Sequence, residues 1–308
     1  MELLTNWLGT IPGAVGQGFV WGIMALGLYI TFKILDFADL TVDGSICTGA
    51  AVCTILMTNG YNVGFAMLMA FVAGCLAGLV TGLLHTRMGI PPILAGILTQ
   101  LMLWSVNLII MSGKANVALS GFKYRDKLLI STGSTNITNS LIVLSIIILI
   151  LVTALYWFFG TQFGISLRST GNSKNMSRAQ GINTSFTTVF GLALSNGIVA
   201  LSGSLLAQQQ GAADINMGRG AIVIGLAAVI VGESIISKFA SNFYIRLLGV
   251  VLGAVIYWLV FQTVIYLGLP SEYLKMLSAL VVAIFLGVPY IKANLSSKKI
   301  KSGSVKNA

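Results

Sequence analysis

Charged residues are scarce in this sequence, and they separate long apolar runs. Eight long stretches contain no Asp, Glu, Lys or Arg, and the longest extends from residue 44 to residue 86. Because about 20 apolar residues form a helix that crosses a bilayer core of roughly 30 Å, most of these stretches hold one membrane span and the longest holds two. The predicted spans are 12–32, 41–58, 63–84, 91–112, 141–160, 187–208, 220–236, 247–268 and 274–291.

Three of the predicted spans, 41–58, 220–236 and 274–291, are short. Short or glycine-interrupted apolar segments are typical of discontinuous helices in membrane proteins. The pattern therefore predicts an all-α polytopic membrane protein of about 8–10 transmembrane helices, some of them broken or half helices. We expect a single transmembrane domain over residues 1–291 and a basic tail over 292–308.

The composition excludes the other broad classes of protein. Of the 308 residues, 56% are hydrophobic and 8% are charged, and the mean hydropathy is +0.92. A soluble domain carries about 25% charged residues, and a disordered chain needs low hydrophobicity. The amino end lacks a basic region and a small-residue cleavage site, so we expect the first apolar run to remain as a span.

The distribution of Lys and Arg predicts the orientation, because these residues are enriched in cytoplasmic loops. With the predicted spans alternating, 12 of the 18 basic residues fall on the side of the carboxyl terminus. We therefore expect a cytoplasmic carboxyl terminus and an external amino terminus, although the basic cluster at 123–127 falls outside. The net charge of +10 and the Lys-rich tail indicate contact with anionic membrane lipid. No aromatic residue interleaves with the tail as stacking on bases requires, so we expect no nucleic-acid partner.

Two segments of the sequence resemble each other. Phe37–Ser45 and Ala212–Gly220 each contain Ala-Asp-(Leu or Ile), a polar turn and a glycine, and each precedes a short charge-free run rich in small residues. Five predicted spans separate Asp39 from Asp214, and an odd number of spans inverts the second copy. This predicts an inverted repeat with halves at about 12–112 and 187–291, an arrangement found in many transporters.

The acidic residues near the end of the first span need a physical reason. Asp36, Asp39 and Asp43 lie within eight residues, and an unpaired carboxylate in hydrocarbon costs several kcal/mol. They either form local contacts, with Asp39 and Asp43 capping a helix and Asp36 pairing with Lys33, or they line a route across the membrane. The candidate pathway or gate residues are Asp39, Asp43, Ser45, Asn196, Asp214 and Asn216.

Other motifs are less informative about function. No His or Glu joins the Asp cluster and no Cys/His spacing suits a metal, so we expect neither a metal site nor a cofactor. No nucleophile and base occur together, and the chain has no Gly-x-x-x-x-Gly-Lys-(Ser/Thr) loop that would bind ATP, so we expect no enzyme activity. Gly74, Gly78 and Gly82 form a small-residue face that predicts close helix packing.

The stretch Phe163–Ile182 lies in a predicted cytoplasmic loop. Ser173 is a predicted N-cap, residues 174–180 a short basic helix and Gly181 its stop. Such a helix either lies on the membrane surface or docks a cytoplasmic partner.

With its Leu-Arg, Gly-Asn and Gly-Ile pairs, this stretch resembles the coupling loop of ATP-binding-cassette (ABC) importer permeases of the branched-chain amino acid and ribose type. Ile34–Ser45 resembles the segment after the first long span in the same permeases, and the resemblance covers about residues 12–290. The Asp-Phe-Ala-Asp-Leu-Thr-Val-Asp-Gly-Ser form is most similar to permeases of Gram-positive bacteria assigned to amino acids, tryptophan or tyrosine among them.

The resemblance implies a transport subunit that depends on partner proteins. Such permeases form dimers, often homodimers, in the bacterial cell membrane. Each subunit receives a cytoplasmic ATP-binding subunit on its coupling helix, and an extracytoplasmic binding (lipo)protein delivers the solute. The residues that the resemblance places in the coupling loop are Arg168, Gly171, Asn172, Arg178, Ala179, Gly181 and Ile182. The substrate it implies is a small polar solute, most simply an amino acid.

Three alternatives remain open at the level of sequence, and one of them is a channel or scaffold subunit. An ion-coupled secondary transporter would also contain inverted repeats, and one of its acidic residues would be the coupling carboxylate. An ABC permease for a sugar or nucleoside would share the same loops.

Overall fold

The computed structural model of the protein describes residues 2–119, 137–236 and 242–266, together with positions 276, 279, 280, 283 and 287. This part of the chain contains ten α-helices, one short π-helix and two short β-strands. The helices are α1 (Glu2–Tyr29), α2 (Val42–Thr58), α3 (Val63–Met88), α4 (Pro92–Ile110), α5 (Ile137–Gly160), α6 (Gln162–Asn172), α7 (Lys174–Ala179), α8 (Thr184–Gln210), α9 (Ala221–Ile236) and α10 (Phe243–Tyr266). The π-helix (Ile30–Ile34) continues α1, and the strands are β1 (Asn116–Ala118) and β2 (Ala212–Asp214).

Six of these helices are long and apolar enough to cross a membrane. They are Gly9–Ile34, Val63–Met88, Pro92–Ile110, Asn139–Gly160, Thr184–Gln210 and Phe243–Tyr266. Helices α2 and α9, with 17 and 16 residues, are apolar but shorter. The prediction of an all-α polytopic membrane protein is therefore confirmed, and so is the prediction that the second and seventh apolar segments are short. The ninth predicted span, the basic cluster at 123–127 and the tail lie largely or wholly outside the described residues.

Helix α8 lies at the centre of the bundle, and α1, α2 and α3 pack around it. Its contact with α3 is close because glycines face it. A Cβ atom added to Gly78 would overlap the main chain of Leu192, and one added to Gly74 would overlap that of Asn196. The close packing predicted for this small-residue face is confirmed.

The two short helices, α2 and α9, each follow a segment that is not helical. Residues 35–41 lead into α2 without forming a helix, and β2 followed by turns leads into α9. Strand β2 pairs antiparallel with β1, with Asn116 opposite Asp214. The apolar pattern of the sequence does not predict these strands, because each has only three residues. They attach the connection before α9 to the residues that follow α4.

Candidate functional site

Three of the predicted pathway residues form one buried hydrogen-bond network. The Asp39 carboxylate accepts from the main-chain N–H of Thr41 (2.9 Å) and from Nδ2 of Asn196 (2.7 Å). Ser45 Oγ donates to Oδ1 of the same Asn196 side chain, at 2.6 Å. Asp39 is 2% exposed, and Ser45 and Asn196 are 0% exposed. The network joins the segment before α2, the start of α2 and the middle of α8. Asp39 thus has a local turn contact with Thr41, the residue before α2, and a second partner 157 residues away.

Asp43 makes a different contact from the one predicted. It lies in the first turn of α2, but its carboxylate accepts from the main-chain N–H groups of Gly220 and Ile222, each at 3.0 Å. The expectation that Asp43 caps its own helix is thus wrong: it caps α9. The unpaired N–H groups and the dipole at a helix N-terminus both favour an anion, so one carboxylate stabilises the meeting point of two helix N-termini.

Asp214 and Asn216 lie apart from the Asp39 network. The Asp214 carboxylate accepts from the main-chain N–H of Asn216 (2.7 Å) and from Nδ2 of Asn116 (3.3 Å). The first contact repeats the local geometry of Asp39 and Thr41, where the acceptor also precedes the donor by two residues. Asp214 is half-buried and Asn216 is exposed, whereas Asp39 and Thr41, their counterparts, are buried. The two similar sequence segments therefore share a local turn but differ in burial.

Lys33 also has a partner other than the predicted one. Its Nζ lies 2.9 Å from Oε2 of Glu233, near the end of α9. Asp36, the expected partner, is exposed and has a positive φ of 51°. The ion pair fixes the end of α9 to the π-helix that continues α1.

A cavity of about 300 Å³ lies between α2, α4 and the residues that precede α9. Of the predicted pathway residues it includes Asp43 alone. Its lining consists of Asp43, Gly44, Cys47, Gln100, Leu101, Trp104, Asn107, Ile215 and Arg219. The sequence did not identify this site, because its residues come from three separate segments; the one signal was the polar pair Gln100 and Asn107 within an apolar span.

The predicted coupling loop forms the helix and the caps that the sequence indicates. Ser173 accepts from the main-chain N–H of Met176 (3.4 Å), α7 follows, and Gly181 has a φ of +80°, which suits glycine. Arg178 Nε donates to Thr184 Oγ1 at 2.9 Å, which ties α7 to the start of α8. Asn172, Arg178, Ala179 and Gly181 are exposed, so most of the predicted loop residues are accessible to a partner.

Two of the predicted loop residues instead face the bundle. The guanidinium of Arg168 lies over the ring of Phe243, 3.8 Å from its centroid, and burial lowers its pKa from the ordinary value. Gly171 lies against the end of the first span: an added Cβ would overlap the carbonyl oxygen of Ile34. Ile182 is half-buried. These residues anchor α6 and α7 to the membrane helices.

The chain is similar in sequence to known transport permeases and in fold to one solved structure. The profile of the family described as branched-chain amino acid transport system / permease component matches residues 11–286. A tyrosine transport system permease protein of Clostridioides difficile is 40% identical over 290 residues, which cover 94% of each chain. An autoinducer 2 import system permease protein of Yersinia pestis is 27% identical over 78% of this chain and 67% of the relative. Among solved structures, PsaBC from Streptococcus pneumoniae has a similar fold, with a TM-score of 0.50 and 14% identity over 94% of this chain and 91% of the other.

Proposed function

The chain belongs to the family of branched-chain amino acid transport system permease components, and from its similarity to a tyrosine transport permease we propose that it imports an aromatic amino acid of the tyrosine type. The resemblance seen in Ile34–Ser45 and Phe163–Ile182 is confirmed at the level of the family. The chain is thus the permease subunit of an ABC importer, a multi-pass membrane protein that is not itself an enzyme. The observation that carries the substrate proposal is the 40% identity with a tyrosine transport permease over 94% of both chains.

Other substrates and energy sources have weaker support. The autoinducer 2 import permease is 27% identical and leaves a third of its own length uncovered. Autoinducer 2 is therefore disfavoured as a substrate relative to an amino acid. Membership of the permease family also favours ATP-driven import over the ion-coupled carrier that the acidic residues suggested.

A permease component acts with an ATP-binding subunit and a solute-binding protein. In our proposal the ATP-binding subunit docks on α7, where Lys174–Met176 and Arg178–Gly181 are exposed. The binding (lipo)protein delivers solute on the opposite face, two copies of the chain form a homodimer, and the Lys-rich tail contacts anionic lipid. The protein then lies in the bacterial cell membrane with its carboxyl terminus in the cytoplasm.

The contacts of α6 provide a route for coupling. Helix α7 follows α6 directly, and α6 lies against Ile34 through Gly171. The residues after Ile34 lead within five positions to Asp39, which is hydrogen-bonded to Asn196 of α8. We propose that a displacement of α7 by the ATP-binding subunit is transmitted through these contacts to the connection before α2.

The depth of Asp43 supports its assignment to the pathway. From Ile222, which Asp43 caps, α9 extends about 17 Å to Glu233; in the other direction α2 extends about 22 Å from Asp43 to Thr58. Because a bilayer core is roughly 30 Å thick, we propose that the meeting point of the two helices lies within it. Two short helices that begin inside the membrane after similar turns at Asp39 and Asp214 are the arrangement expected of an inverted repeat.

The experiment that tests this function is uptake of radiolabelled L-tyrosine by proteoliposomes. We expect uptake when the chain is reconstituted with its ATP-binding subunit and its binding protein, and no uptake when the ATP-binding subunit cannot hydrolyse ATP. Leucine and ribose uptake measured in the same vesicles test the substrate. Uptake by the chain alone in response to a proton or sodium gradient would contradict the proposal.

A further inference from the structure

The cavity between α2, α4 and residues 215–219 combines groups that suit a particular ligand. It contains the carboxylate of Asp43, the guanidinium of Arg219, the amides of Gln100 and Asn107, and the indole of Trp104. We propose that this cavity is a binding subsite within the permease for a zwitterionic α-amino acid with an aromatic, hydroxyl-bearing side chain. The inference rests on the proposed function and adds selectivity to the membrane subunit itself.

The two charged groups match the two charges of an amino acid. Asp43 and Arg219 line the same cavity, and in the described part of the chain they form no ion pair with each other. Arg219 is exposed, and its guanidinium has no hydrogen-bond partner among the described residues, so its five N–H donors are available to a carboxylate. The carboxylate of Asp43 accepts two main-chain N–H groups, and its remaining lone pairs can accept an ammonium group.

Trp104 offers an aromatic surface at the open side of the cavity. It is 45% exposed, and Leu101, in the preceding turn of α4, is 64% exposed. An aromatic ring that stacks on the indole buries apolar area and gains from the favourable geometry of paired rings. The volume of about 300 Å³ is at the lower end of the range for small-molecule pockets, which suits one amino acid.

Asn107 is the strongest indication that a polar ligand occupies the cavity. Its side chain is 1% exposed, and among the described residues neither Nδ2 nor Oδ1 has a hydrogen-bond partner. Because buried polar groups in folded proteins nearly always have a partner, this amide is the kind of group that a ligand completes. A phenolic hydroxyl both donates and accepts, and so can satisfy both amide atoms. Asn107 lies one turn from Trp104 on the same face of α4, as a ring stacked on Trp104 requires.

The proposal is tested by equilibrium binding of radiolabelled L-tyrosine to the full-length chain in nanodiscs, with no binding protein present. We expect saturable binding of tyrosine. Tyramine, which lacks the carboxylate, should compete only weakly, and so should 3-(4-hydroxyphenyl)propionate, which lacks the ammonium group. The Arg219→Gln variant should bind at least about tenfold more weakly, because a charge-assisted pair is lost. Asn107→Leu should remove the preference for tyrosine over phenylalanine, since a site built for a hydroxyl discriminates against the analogue without one.

Matched controls separate these effects from unfolding. Lys114→Gln removes another exposed positive charge, outside the cavity lining, and should bind as the wild type does. Trp104→Ala should weaken tyrosine binding, because it removes the proposed stacking surface. Trp157→Ala removes an indole that is 75% exposed on α5, outside the cavity lining, and should bind as the wild type does. Absence of saturable binding to the wild type, or binding that Arg219→Gln and Asn107→Leu leave unchanged, would overturn the subsite. If the complete system still imports tyrosine in that case, the proposed function stands; if it does not, the function itself has failed.

Discussion

The carboxylate of Asp43 accepts a hydrogen bond from the main-chain N–H of Ile222, 3.0 Å away, although the two residues lie in the first turns of different helices. Asp43 is in α2 and Ile222 is in α9, and 179 positions separate them. The contact therefore joins the two short helices at their N-termini. Since the far end of α9 is held to the π-helix by the pair of Lys33 and Glu233, α9 is fixed at both ends by an acidic side chain.

We expect substitutions of Asp43 to separate its structural role from its transport role. Asp43→Ala leaves the N–H groups of Gly220 and Ile222 without a partner, and the loss of a helix cap costs about 1 kcal/mol. Asp43→Asn keeps an acceptor oxygen and should restore most of that stability, but it removes the charge proposed to bind the substrate. In thermal unfolding of the purified proteins, the wild type should be the most stable, Asp43→Asn slightly less stable and Asp43→Ala the least stable. Tyrosine uptake should be lost in both variants.

The control for this prediction is Asp36→Asn. Asp36 is exposed and has a positive φ, which Asn tolerates well, so this variant should unfold and transport like the wild type. Loss of uptake in Asp36→Asn together with full uptake in Asp43→Asn would favour a coupling carboxylate at position 36 and contradict the pathway described above.

A second prediction concerns the contact between α6 and the end of the first span. The Cβ of a Gly171→Ala variant would overlap the carbonyl of Ile34 and approach the main chain of Leu35, so α6 must move away from the bundle. We expect the variant to insert in the membrane but to lose ATP-driven uptake. Gly160→Ala is the matched control, because nothing lies within 4 Å of the position that its Cβ would occupy. Equal uptake by both variants would show that coupling does not pass through this contact.

Much of the fold is readable from the sequence, because hydrophobic length and charge placement are local properties. The predicted segment 41–58 differs from the observed helix Val42–Thr58 by one residue, and Ser173 and Gly181 bound α7 as their backbone preferences indicate. The glycines at 74 and 78 were correctly interpreted as packing residues, because glycine at a spacing of four residues on a helix allows close approach of another backbone.

The partners of the polar side chains were not predictable in the same way. Asp43 and Lys33 each have a plausible partner within one turn, yet each contacts α9, about 200 positions away. A local pattern indicates only that a carboxylate or ammonium group needs a partner. Which partner it finds depends on the way the helices pack, and for the same reason the cavity at Trp104 and Arg219 is absent from any single stretch of sequence.

The exposed methionine of α7 gives a third prediction. Met176 is 62% exposed and is the one large apolar side chain of α7, and an apolar flexible side chain suits insertion into a groove of a partner. We expect Met176→Glu to abolish copurification with the ATP-binding subunit while leaving membrane insertion intact. Met88, the last residue of α3, is 68% exposed, and Met88→Glu should leave copurification unchanged. If Met176→Glu copurifies normally, the partner docks elsewhere.

The Asn196 network gives the last prediction, which concerns stability. Asn196 donates to Asp39 and to the carbonyl of Leu192 and accepts from Ser45, so the Asn196→Ala variant removes three hydrogen bonds. It leaves the buried Ser45 hydroxyl and Oδ2 of the buried Asp39 carboxylate without these partners. An unpaired buried group costs about 1–3 kcal/mol, and more when it is charged, so this variant should be the least stable of those considered. Ser45→Ala leaves only one acceptor unpaired and should cost less.

Ser204→Ala is the control: its hydroxyl is as buried, but among the described residues it bonds only to Leu201 in its own helix, so the variant should unfold close to the wild type. Thermal unfolding in detergent measures all three. If Asn196→Ala proves as stable as Ser204→Ala, the hydrogen bonds between Asp39, Asn196 and Ser45 do not hold α2 against α8.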